Sequence, residues 1–177
     1  MTHIFGKHTV EPIYIAGTGM TPFGRHLELS VKDLTRQAVE AALRDAGCER
    51  AQLQAAYFAN ATQGHMEGQH MVRGQLALRA MGVQGIPVVN VENACASAST
   101  ALHLAVQHVQ SGAADVVLAV GAEKMCSDDK ARMFAAFDGA WDVHDTEAGK
   151  ARLLAMGEGV APPPGSQSPR PYSVFMD

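Results

Sequence analysis

Apolar residues recur along this chain in two periods. Val31, Leu34, Ala38, Val39, Ala42, Leu43 and Ala46 share one face at helical spacing and predict an amphipathic helix through residue 45. Ser30-Val31-Lys32-Asp33 reads as its capping box and Gly47 as its stop, with Arg36, Glu40 and Arg44 on the solvated side. Val72, Leu76 and Ala80 mark a second helix within residues 69–82, which Gly82 ends. Ala98, Leu102, Ala105, Val106 and Val109 mark a third over residues 96–110, stopped by Ser111-Gly112. Between the helices, apolar runs at residues 12–19, at 55–60, from Val88, and at 115–120 predict strands. The last run is nearly continuous, as in a strand buried on both faces. Alternating strands and helices indicate an α/β domain, its mainly parallel sheet covered by helices on both faces. Ligand sites in such sheets lie beyond the carboxyl ends of the strands.

Past residue 125 the periodicity weakens. Residues 130–137 and 147–156 admit two short helices, and the proline-rich stretch at 161–171 is a loop by composition. Trp141, Phe134 and Phe137 serve equally well there as core or as pocket wall. Two features invite specific chemistry and do not sustain it. Gly17-x-Gly19 is followed by Pro22 and Gly24, and no helix opens on the glycines as a dinucleotide turn requires. His65, Glu67 and His70 are ligand types in one loop, residues 61–70, but their spacing fits no zinc pattern, so no metal is expected.

The stretch Asn93-Ala94-Cys95-Ala96-Ser97-Ala98-Ser99 carries the strongest chemical signal. It places Cys95 where a strand gives way to a helix. The first turn of a helix leaves backbone N–H groups unpaired and carries partial positive charge, which favours a thiolate. The same N–H groups suit the oxyanion of an attacked carbonyl. Small neighbours leave room around the sulfur, whereas a core cysteine has bulky ones. On these grounds Cys95 reads as a nucleophile or as a structural cysteine in equal measure. Cys48, just past the first helix, has no comparable setting and reads as a bystander.

The Cys95 stretch, followed by its helix and by Asp115-Val116-Val117-Leu118-Ala119-Val120-Gly121-Ala122-Glu123-Lys124-Met125, resembles the nucleophile region of the thiolase superfamily. The nearest likeness is to sterol-carrier-protein-type and thiolase-like acyl-CoA acyltransferases, and it extends loosely from Ile13 to Met125. The resemblance implies that Cys95 is the acylated nucleophile. It implies a thiolase-like N-terminal α/β domain over residues 1–125, with a mainly parallel or mixed five-stranded sheet. Residues 126–177 would then be a loop excursion over the site and the start of a further helix. It also implies a coenzyme A thioester as substrate with no separate cofactor, and residues 69–82 near a dimer interface. The family's base and second cysteine come from a downstream half of the same fold, and no matching motif follows Met125. His144 is the one histidine there, and His103 and His108 fall where the family has surface or packing roles. The resemblance therefore implies a fragment or split subunit, acting as a homodimer or as a heteromer with a C-terminal half.

Composition narrows the setting. With 177 residues the chain suits one domain with a real core. A net charge of −4 gives no electrostatic case for nucleic acid. No apolar run approaches a membrane span, and residues 1–8 lack the apolar core of a signal peptide. Three widely spaced cysteines, Cys48, Cys95 and Cys126, form no disulfide framework, which makes the reducing cytoplasm the expected compartment. Two functions follow. One is the nucleophile-bearing half of an acyl-CoA acyltransferase, its direction and acyl chain undetermined. The other is a non-catalytic subunit that binds acyl-CoA or scaffolds a complex.

Overall fold

The computed structural model describes residues 11–157. The chain divides into two compact units, Met1–Lys124 and Met125–Asp177.

The first unit contains helix α1 (Val31–Ala46), strand β1 (Ala55–Ala59) and helices α2 (Gln63–Glu67) and α3 (Arg73–Arg79). Strand β2 (Val88–Val91), helix α4 (Ser97–Gln110) and strand β3 (Val117–Gly121) follow. The sheet runs β2-β1-β3, parallel throughout, with Ala59 opposite both Val91 and Gly121. Expectation and structure agree on an α/β fold with a parallel sheet, but three strands form it, not five. From β1 the chain steps one way to β2, then back across β1 to β3. Right-handed crossovers in opposite directions put their helices on opposite faces. So α1 and α3 cover one face, and α4 the other.

Strand alternation sorts the core accordingly. Ala56 and Phe58 join Val31, Val39, Leu43, Ala77, Leu78 and Met81 beneath α1 and α3. Ala59 and Val91 meet Ala101 under α4, with Tyr57 and Leu104 alongside. The α4 face differs from expectation. Ser97, Ala101 and Ala105 are buried, while Leu102 is exposed. The helix lies close to the sheet, and only small side chains fit between.

The expected strand at residues 12–19 is absent from the sheet, whose strands are β1, β2 and β3 among the described residues. This segment instead lies along α1. A Cβ on Gly17 would sit 2.4 Å from the Ala42 carbonyl oxygen, and one on Gly19 2.2 Å from that of Ala38. Ala38, Ala42 and Ala46 provide the narrow strip that permits this approach. The glycines thus serve packing. A backbone bond from Thr18 N–H to Asp45 Oδ2 at 2.8 Å fixes the segment.

The first helix starts and stops as its sequence predicts. Ser30 Oγ accepts from the Asp33 N–H while the Asp33 carboxylate accepts from Ser30, and Gly47 ends the helix at φ 63°. The expected 69–82 helix is shorter, and the expected 61–70 loop contains α2. Helix α3 begins at an exposed Val72 with φ 50°, a strained conformation for a β-branched residue. It docks tightly, because a Cβ on Gly74 would sit 2.4 Å from Phe58 Cβ and 3.1 Å from Val88 Cγ1. Polar bonds complete the docking: Gly74 N–H to Asn90 Oδ1 at 2.7 Å, Asn90 Nδ2 to Gln75 Oε1 at 2.7 Å, and Gln75 Nε2 to the Val88 carbonyl at 2.9 Å.

In the second unit, α5 (Lys130–Ala135) and α6 (Thr146–Met156) form where short helices are expected. Asp129 caps α5 by accepting from Arg132 N–H at 3.0 Å. The Trp141 ring lies over Gly149, where an added Cβ would come within 3.3 Å of it. The proline-rich stretch lies outside the described residues.

Two measurements test this packing. Gly74→Ala is expected to destabilise the protein by about 1–3 kcal/mol in denaturant titration, because Phe58 is fully buried and cannot yield. Asp33 is held below the usual carboxylate range, first by the Ser30 hydroxyl, then by the Ser30 N–H. Its stabilising contribution is present above the unfolded value of about 4 and is lost as pH falls through the lower folded value. Between about pH 5 and pH 3, Asp33→Asn is expected to lose less thermal stability than the parent.

Candidate functional site

The carboxyl ends of three parallel strands gather the polar residues of the first unit. Because β1 continues to the α3 face and β2 to the α4 face, their connections diverge. A crevice opens between such strands beyond their carboxyl ends. At these ends residues 60–63 follow β1, residues 92–96 follow β2, and residues 121–123 lie at the end of β3.

Cys95 sits on the β2 branch, in a 3-10 turn at Ala94–Ala96 immediately before α4. The sequence places it at the junction of strand and helix, and it precedes the N-cap of α4, Ala96, by one residue. It is exposed, whereas Cys48 and Cys126 are half-buried. The residue before it, Ala94, has φ 45°, a left-handed conformation that costs a non-glycine residue about 1–2 kcal/mol. The turn is stapled to hold it. Ser97 Oγ accepts from Asn93 N–H at 2.8 Å and donates to the Ala94 carbonyl at 2.7 Å, with Ser97 5% exposed. Ala94 N–H donates to Glu92 Oε1 at 2.7 Å. Asn93 Nδ2 donates to Thr100 Oγ1 at 3.0 Å, and that hydroxyl donates to the Ala96 carbonyl at 3.0 Å. The result is a rigid elbow presenting a thiol among Ala94, Ala96, Ala98 and Ser99. Chemically, it suits attack by sulfur on a carbonyl carbon with a narrow approach.

The elbow lies close against β3. Ala98 Cβ and Ala59 Cβ both fall 3.5 Å from the place a Cβ on Gly121 would take. Just beyond, Glu123 binds the loop after β1. Its carboxylate accepts from Ala61 N–H at 2.8 Å, Thr62 N–H at 3.1 Å, Asn60 Nδ2 at 3.0 Å and the Thr62 hydroxyl. Sequence patterns alone do not single out Asn60, Arg73 and Glu123 as a group. The available signal is a polar residue at the end of the 55–60 run and another three residues past the 115–120 run.

The histidines are placed elsewhere. His108 is half-buried, its Nδ1 2.9 Å from Tyr57 Oη and its ring edge-on to the tyrosine. His103 is exposed, and His65 and His70 are exposed in the loop after β1. No histidine bonds to Cys95 among the described residues. His65, Glu67 and His70 do not converge into a metal-holding group among the described residues. No helix there is long and apolar enough to cross a membrane. A cavity of about 390 Å³ opens between α1, α2 and α3, lined by Ser30, Lys32, Gln63, Arg73 and Arg79, and Cys95 is not in its wall.

Residues 13–155 match the family model for the thiolase N-terminal domain. Among similar proteins, benzoylsuccinyl-CoA thiolase subunit BbsB of Thauera aromatica is 42% identical over 113 residues, 63% of this chain and 28% of that protein. Acetyl-CoA acetyltransferase of Methanocaldococcus jannaschii is 38% identical over 133 residues, 74% of this chain and 34% of that protein. Sterol carrier protein 2 of Gallus gallus is 35% identical over 134 residues, 75% of this chain and 24% of that protein. The chain thus spans between a quarter and a third of the curated relatives' length.

Iodoacetamide at about pH 7, followed by peptide mass spectrometry, is expected to modify Cys95 ahead of Cys48 and Cys126 in the folded protein. Prior labelling of either half-buried cysteine would contradict this placement.

Proposed function

We propose, from the premise that this chain belongs to the thiolase family through its N-terminal domain, that it is the nucleophile-bearing part of an acyl-CoA acyltransferase. The observation carrying this reading is the exposed Cys95 on a stapled elbow at the carboxyl end of β2. The Cys95 sulfur attacks the carbonyl carbon of an acyl-CoA thioester. The new carbon–sulfur bond replaces the old one, and coenzyme A leaves as its thiolate and takes up a proton. In this synthetic direction the acyl group then passes from Cys95 to a carbanion. In the degradative direction the sulfur instead attacks the 3-keto carbon of a 3-ketoacyl-CoA, and the C2–C3 bond breaks. The departing acyl-CoA carbanion takes up a proton, and the acyl group passes from Cys95 to coenzyme A. The N–H groups of Asn93, Ala94, Ala96 and Ser97 already donate within the elbow, so they are not free for the oxyanion formed on attack.

A general base must come within about 3 Å of the reacting atoms. The histidines described lie elsewhere, so the reading assigns the base to the remainder of the enzyme, in the same chain or a partner. A second copy or a complementary subunit fits this need. A relative named as a thiolase subunit supports an assembly of that kind. The alternative, a scaffold subunit that binds acyl-CoA without chemistry, does not call for an exposed cysteine on a strained turn.

Incubating the complete assembly with acetyl-CoA is expected to leave an acetyl group on the Cys95 peptide. Cys95→Ser, nearly isosteric and a far weaker nucleophile, is expected to lower acyl transfer by at least about 10³-fold while the fold persists by circular dichroism. Retained turnover in that variant would assign the chemistry elsewhere.

A further inference from the structure

Asn60 is 2% exposed at the carboxyl end of the middle strand, and its bonds reach the ends of β2 and β3 and the helices α2 and α3. Its backbone N–H donates to the Val91 carbonyl at 3.2 Å, at the last residue of β2. Its Nδ2 donates to the Ala122 carbonyl at 2.7 Å and to Glu123 Oε1 at 3.0 Å, just past β3. Its Oδ1 accepts from Gln63 N–H at 3.0 Å, on α2, and from Arg73 Nη1 at 2.8 Å, on α3. Two donors and two acceptors exhaust what an asparagine side chain offers. The partners also fix the amide orientation, since a carbonyl faces the nitrogen and an N–H faces the oxygen.

We infer that Asn60 is a positioning residue for the Cys95 thiol, an inference that rests on Cys95 being the nucleophile. The elbow has two supports. One is the end of β2, from which the chain leaves at Val91 and reaches Cys95 four residues later. The other is the close contact of Ala98 with Gly121, whose following residue, Ala122, is held by its carbonyl. Asn60 bonds to both supports, to the first through its backbone N–H and to the second through its side chain, so substitution at this position tests the second. A buried polar network with every group satisfied is rigid, so it holds the elbow at one height above the sheet. Small errors in that height matter, because a misplacement of about 1 Å at the reacting atoms costs up to about 10²-fold in rate.

The test compares Asn60→Ala and Asn60→Asp with Val39→Ala in the complete assembly. Asn60→Asp keeps one acceptor but turns the donor into a carboxylate oxygen facing Ala122 O and Glu123. Val39 is 1% exposed on α1 and makes no side-chain hydrogen bond, so its truncation lowers stability without touching the crevice. Three quantities are read: the single-turnover rate of Cys95 acylation by acetyl-CoA, its half-saturating concentration, and the thermal midpoint. Both Asn60 variants are expected to lose about 10- to 100-fold in acylation rate with half-saturation changed less than about threefold. Val39→Ala is expected to hold the parent rate at a similarly lowered midpoint. Acylation in Asn60→Ala within about twofold of the parent overturns the inference. So does an equal loss in Val39→Ala. If Asn60→Ala does not fold, Asn60→Ser replaces it under the same criteria. If the parent itself takes no acyl group, the nucleophile reading fails. The rate of Cys95 alkylation by iodoacetamide then judges positioning alone, and an unchanged rate in Asn60→Asp overturns it.

Discussion

The parallel pairing of β1 with a neighbour on each side is the constraint from which the rest of the first unit follows. With β2 on one flank and β3 on the other, the chain must cross the sheet in both directions. The right-handed twist of the backbone sends those crossings over opposite faces. Helix α3 is thereby committed to one side and α4 to the other, and a crevice opens at the carboxyl ends of β1 and β2. Cys95 lies beside that crevice because the β2-to-α4 connection begins there, not through any special length or composition of its loop.

Close approach is the second theme, and it is achieved with small residues. Gly74 lets α3 settle on Phe58, Ala101 and Ala105 let α4 settle on the sheet, and Gly17 and Gly19 lie on the alanine strip of α1. Each contact brings backbone near backbone and leaves little freedom to slide. That rigidity supports the left-handed Ala94 beside Cys95. A strained residue persists only where its surroundings over-determine it, and here the Ser97 hydroxyl bonds on both sides of the turn. Strain and staple together hold the turn that carries Cys95.

Membership of the thiolase family gives this geometry its chemical meaning, and the geometry in turn gives the family likeness a physical basis. The exposed Cys95 stands on an elbow of alanines and serines, whereas bulkier neighbours would crowd it. The polar residues at the strand ends do different work. Glu123 gathers the N–H groups of the loop after β1, and Asn60 joins the tips of all three strands. Neither touches the sulfur. Both determine where the surfaces around it stand.

Local physics made several elements legible in the sequence. Ser30 and Asp33 begin α1 and Gly47 ends it because capping bonds and a left-handed φ involve only neighbours along the chain. The parallel α/β class and the strand-to-helix setting of Cys95 were equally readable, since both rest on apolar period and strand–helix order. Tertiary structure decided the remainder. Residues 12–19 carry a strand's apolar composition yet lie along α1, where Gly17 and Gly19 fit against its alanine strip. The buried stripe of α4 runs through Ser97, Ala101 and Ala105, although Leu102 is the more apolar residue, because the distance to the sheet selects for size over hydrophobicity. The Asn60 network joins residues 60, 63, 73, 91, 122 and 123, and no local period encodes such a set. Hydrogen bonds between distant segments come into being only when the strands align, so the sequence determined which residue carries the thiol, and the fold alone decided what holds it in place.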